Sequence, residues 1–77
     1  MKINVLYFGI LADIVGCSEK IYENIPDVAT LELHLNELYP DFKTYRYKFS
    51  VNQVIAELNT VLNDGDEVAI LPPFAGG

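Results

Sequence analysis

Apolar and polar positions alternate from Lys2 to Phe8, with Ile3, Val5 and Tyr7 on one face and Leu6 and Phe8 on the other. The pattern, in a segment rich in β-branched and aromatic residues, predicts a strand covered on both sides for part of its length. Gly9 and Gly16 then bracket Ile10–Val15, an apolar run too short for a free-standing helix, which reads as one or two helical turns packed on the sheet. Lys20–Ile25 alternates again, with Ile21, Glu23 and Ile25 against Tyr22 and Asn24, and predicts a second strand in a hairpin with the first.

Pro26 stops that strand, Asp27 is a candidate N-cap, and Val28, Leu31, Leu35 and Leu38 recur at helical spacing. They predict a helix with one apolar stripe, running to about Tyr39 and ended by Pro40, with Leu33 on the opposite, exposed side. A polar stretch, Asp41–Thr44, leads into renewed alternation from Tyr45 to Val51. Asn52-Gln53 reads as a turn into a short strand at Val54-Ile55, and Asn63-Asp64-Gly65-Asp66 as a second turn before a final strand, Glu67–Leu71.

Hairpin, helix, then two or three further strands make an α+β arrangement, a mixed sheet of about five strands with one main helix across a face. A β-grasp fold satisfies this order. Its last strand lies centrally beside its first, so residues 1–71 form the domain and residues 72–77 project from it as an extended tail.

Composition narrows the chemistry. Seventy-seven residues, 51% of them hydrophobic, allow one small core and no second catalytic domain. No apolar run is long enough to span a membrane, and the Met1-Lys2-Ile3-Asn4-Val5 start has no signal-peptide pattern, so the chain reads as cytoplasmic. A net charge of −6 argues against nucleic acid and for a basic protein partner. Every Lys and Arg lies at or before Lys48, and Phe49–Gly77 carries only acidic side chains among its charged residues.

Few residues could do chemistry. Cys17, the single cysteine, excludes a disulfide framework or a Cys-ligated iron–sulfur cluster, and Ser18 and Glu19 give its thiol no activation. His34 has no nearby Cys or second His to share a metal, and the Asp64-Gly65-Asp66-Glu67 carboxylates are too closely spaced for an EF-hand loop. No metal site and no bound cofactor are expected. There remains Pro72-Pro73-Phe74-Ala75-Gly76-Gly77. Two terminal glycines arise by chance in roughly one chain in two hundred. Yet Gly76-Gly77 is also the thinnest strip of backbone that can enter a narrow cleft, and two prolines, unable to donate ladder hydrogen bonds, hold the last four residues off the sheet. The Gly77 α-carboxylate is then the functional group; ionised at neutral pH, it needs a partner to activate it.

Val5-Leu6-Tyr7-Phe8, Ile14-Val15-Gly16, Val51-Asn52-Gln53, Asp64–Ala69 and the terminal Pro-Pro-Phe-Ala-Gly-Gly together resemble the small, sulfur-carrier subunits of molybdopterin synthases, within the ubiquitin-like β-grasp superfamily. The resemblance spans essentially the whole chain. It implies that an E1-like enzyme adenylates Gly77 with ATP and that a sulfur donor protein supplies a thiocarboxylate. Pro72, Pro73, Phe74, Ala75 and Gly76 thread the tail into a large catalytic subunit, in a heterotetramer with two of each subunit, and sulfur passes to the dithiolene of molybdopterin. The resemblance also implies an apolar docking patch of Phe8, Ile55 and Leu71. Where many members carry an Arg-Glu pair, this chain has Ala12-Asp13. A carrier for thiamine or tRNA thiolation, a ubiquitin-like modifier and a plain interaction module stay open as alternatives.

Overall fold

The computed structural model describes residues 1–72. Five strands, β1 (Lys2–Tyr7), β2 (Glu19–Glu23), β3 (Lys48–Val51), β4 (Val54–Ala56) and β5 (Glu67–Leu71), form one sheet in the order β2-β1-β5-β3-β4. β1 and β5 are parallel; every other pairing is antiparallel. Two helices, α1 (Gly9–Val15) and α2 (Val28–Leu38), and a 3₁₀ segment (Pro40–Thr44) complete the fold. This is the expected β-grasp order, with the last strand central beside the first.

The period-2 pattern of β1 turns Ile3, Val5 and Tyr7 into a core with Val28, Leu31 and Leu35 of α2 and Val68 and Ile70 of β5, all of them buried. α2 begins where the sequence places it, because the Asp27 carboxylate accepts a 2.8 Å hydrogen bond from the Thr30 N–H. Hydrogen bonding from Thr30, side chain and backbone, holds that carboxyl below its ordinary range. Leu33 is exposed as expected, whereas Leu38, the last residue of the stripe, is nearly half exposed where the helix ends.

Two expectations are corrected. Strand bounds move: β1 stops at Tyr7, β2 occupies Glu19–Glu23 in place of Lys20–Ile25, and β3 starts only at Lys48; of the two faces of β2, the one carrying Tyr22 turns inward. Asp41–Thr44 is no polar connector, since Phe42 inside it is fully buried and meets the rings of Tyr7, Tyr39 and Tyr47 at centroid distances of 6.2, 5.6 and 5.8 Å. Tyr22, placed inward, shares a 2.7 Å hydroxyl–hydroxyl hydrogen bond with Tyr7. Burial pushes both phenols above their ordinary range.

The β3–β4 turn has both central residues left-handed, Asn52 at φ 49° and Gln53 at φ 71°. Positive φ at both positions matches the right-handed twist of the flanking strands. The Asn52 amide locks the turn onto the neighbouring loop: its oxygen accepts from the Glu67 N–H and its Nδ2 donates to Asp66, each at 3.0 Å.

Candidate functional site

β5 carries the chain towards its C-terminus through the middle of the sheet. It is held by β1 from Asn4↔Glu67 to Tyr7↔Ile70, and by β3 from Val51↔Val68 to Lys48↔Leu71. Because side chains alternate across a strand, Val68 and Ile70 enter the core while Ala69 and Leu71 face the other way.

The same register builds the outer face. Leu6 lies beside Ala69, Ala69 beside Ser50, and Ser50 beside Ile55, so four strands contribute one cross-sheet row. One step nearer the strand ends, Leu71 is opposite Lys48. Phe8 comes directly after β1 in extended backbone and continues the Leu6 side. Phe8, Ile55 and Leu71, far apart in sequence, thus share one face of the sheet at the end where β5 runs out. Phe8 is 45% and Ile55 61% exposed, and Leu71 is half-buried. The buried helical residues Leu11, Val28, Leu31 and Leu35 all belong to the opposite, core side.

Pro72 comes next and rests near the β1–α1 junction. A Cβ placed on Gly9 would come within 3.4 Å of the Pro72 ring, and Gly9 itself sits at φ 54°, where side chains are strained. The sequence marked Gly9 only as a helix boundary, and the structure adds its left-handed backbone and its closeness to Pro72. Pro73, Phe74, Ala75, Gly76 and Gly77 lie outside the described residues.

His34 and the turn carboxylates have structural employment. His34 packs edge-on against Tyr22 at 5.6 Å. Asp64 accepts from the Lys2 backbone N–H at 2.7 Å, and Asp66 from the Asn63 N–H at 2.7 Å, so these carboxylates tie a turn together. Cys17 is exposed. Asp13, at the family's departure in α1, is exposed and Ala12 half-buried. Among the described residues no three His, Cys, Asp or Glu side chains group as metal ligands, and no helix is long and apolar enough to cross a membrane.

Comparison with known proteins adds four findings. The ThiS family model matches residues 5–77. The molybdopterin synthase sulfur carrier subunit of Mycobacterium tuberculosis is 43% identical over 84 aligned positions, covering 100% of this chain and 99% of that protein. Among solved structures, small archaeal modifier protein 1 from Methanosarcina acetivorans superposes with a TM-score of 0.83 at 25% identity, covering 99% of this chain and 96% of that one. A chain of the complex of subunits 1 and 2 of the Helicobacter pylori molybdopterin-converting factor superposes with a TM-score of 0.74 at 28% identity over the full length of both chains.

Proposed function

The chain belongs to the ThiS family, and from that premise we propose that it is the sulfur carrier of a molybdopterin synthase, with Gly77 as the carrying residue. The observation that carries the proposal is the 43% identity, end to end, with the M. tuberculosis sulfur carrier subunit. The Gly76-Gly77 pair supplies the chemistry.

The Gly77 carboxylate oxygen attacks the α-phosphorus of ATP on an E1-like enzyme, and pyrophosphate leaves. A hydrosulfide equivalent released by a sulfur donor protein then attacks the acyl carbon of the mixed anhydride; the new C–S bond replaces the C–O bond to AMP, AMP and a proton leave, and the terminus is a thiocarboxylate. Activation is needed because a free carboxylate is a poor acyl donor, whereas an acyl adenylate has a good leaving group. Sulfur is delivered inside the large subunit, so catalysis belongs to the complex and this chain supplies the reagent. The H. pylori complex of subunits 1 and 2 supports a partner of that kind. Phe8, Ile55 and Leu71 form its docking patch, which leaves Pro72 and the residues after it free to thread inwards.

Intact-mass spectrometry tests the cycle. Incubation with the activating enzyme, ATP and a sulfur source should raise the mass by about 16 Da, the exchange of one oxygen for sulfur. A chain that stays unmodified, or is recovered only in amide linkage to lysines of other proteins, would refute the carrier reading; the second result would favour a modifier.

A further inference from the structure

Two adjoining concavities of about 330 and 360 Å³ lie along the boundary between α2 and the segment leading into β3, and they share Glu32 and Tyr47. Together they make one groove. Lys43, Arg46 and Lys48 line it, so three of the chain's five cations gather here in a protein of net charge −6. Among the described residues the one ion pair within 4 Å is Lys2–Glu23, which leaves these three without an acidic partner.

The floor is firm. Tyr47 packs edge-on against Phe42 and Phe49 at 5.8 and 5.4 Å and donates a 3.2 Å hydrogen bond to Asn36 Oδ1 on α2. The far end is apolar, bordered by Ile55 and Leu58. Along one wall no strand covers the backbone: β4 pairs with β3 only as far as Phe49↔Ala56, so Tyr45–Lys48 runs beyond it unpaired on that side, with the Tyr45 N–H bonded back to Phe42.

We propose that this groove binds an extended, acidic segment of a protein partner. The cations at Arg46 and Lys48, two residues apart, match carboxylates at alternate positions of an extended peptide. The apolar end takes an aliphatic side chain, and Glu32 accepts from peptide N–H groups. Lys48 faces Leu71 across the β3–β5 ladder, so a segment lying here reaches the point where β5 ends. The groove borders the proposed docking patch at Ile55, but the inference does not depend on the sulfur chemistry.

The test is a ¹H–¹⁵N titration of the full chain with an end-blocked peptide alternating glutamate and leucine. Saturable shifts are expected at Glu32, Asn36, Lys43 and Tyr45–Lys48, weakening at least about tenfold in the K43Q/R46Q double variant, whose spectrum should otherwise keep its native dispersion. Added salt should weaken binding in parallel. The proposal is overturned by no shifts at millimolar peptide, by shifts elsewhere, by undiminished binding to K43Q/R46Q, or by equal binding of the lysine-for-glutamate peptide. Shifts of the same residues by AMP but not by the glutamate peptide would also overturn it, in favour of a nucleotide site.

Discussion

The buried Tyr7–Tyr22 pair is where single groups matter most. Desolvation keeps the Tyr7 phenol protonated in the folded chain, whereas an unfolded tyrosine ionises near pH 10. Its contribution is therefore fully present below about pH 10 and is lost as pH rises above that, by up to about 1.4 kcal/mol per pH unit for each proton retained by the fold. Urea unfolding across the alkaline range should show this decline. Tyr7→Phe should flatten it, and an identical pH slope in that variant would contradict the assignment. The companion residue, Phe42, was not legible in the sequence. A lone aromatic among Asp41, Lys43 and Thr44 sets up no period, and only the ring cluster with Tyr7, Tyr39 and Tyr47 gives it a burial site.

Elements were legible where a period repeats and a breaker comes after it. The α2 stripe between Asp27 and Pro40, the β1 alternation and the two turns before β4 and β5 all satisfy that condition. Strand ends were not, because Tyr45 and Tyr47 alternate correctly yet find no ladder partner at the positions where pairing would extend. The β3–β4 turn shows how much an element depends on its backbone. Gln53 holds φ 71°, a conformation costing a side-chain-bearing residue about 1–2 kcal/mol. Gln53→Gly should raise stability by about 1 kcal/mol, read as a higher urea midpoint at unchanged slope. Asn52→Gly should give no such gain, because it also removes the hydrogen bonds to Asp66 and Glu67. Equal gains from both would mean that the Asn52 amide contributes nothing.

At the scale of the whole molecule, the family resemblance supplied the candidate patch residues and topology supplied their meeting. Phe8, Ile55 and Leu71 lie in three separate stretches of the chain. Only the β1-β5-β3-β4 order brings them to one face. No local pattern could state this, because register between distant strands is fixed by the packed core. Ile55→Glu should leave stability within about 0.5 kcal/mol, since the side chain is 61% exposed, while weakening association with the large subunit at least about tenfold. Thermal unfolding and calorimetric titration separate the two effects, and unchanged affinity would remove Ile55 from the proposed docking patch. The parallel pairing of β1 with β5 also has a mechanical side. The chain enters the sheet at one end and leaves at the other along the adjacent strand, so tension at Leu71 runs parallel to the strands. It loads the hydrogen bonds to β1 and β3 together, in shear, instead of opening them one after another. A pull transmitted through Leu71 must therefore break these two ladders together before β5 can leave the sheet.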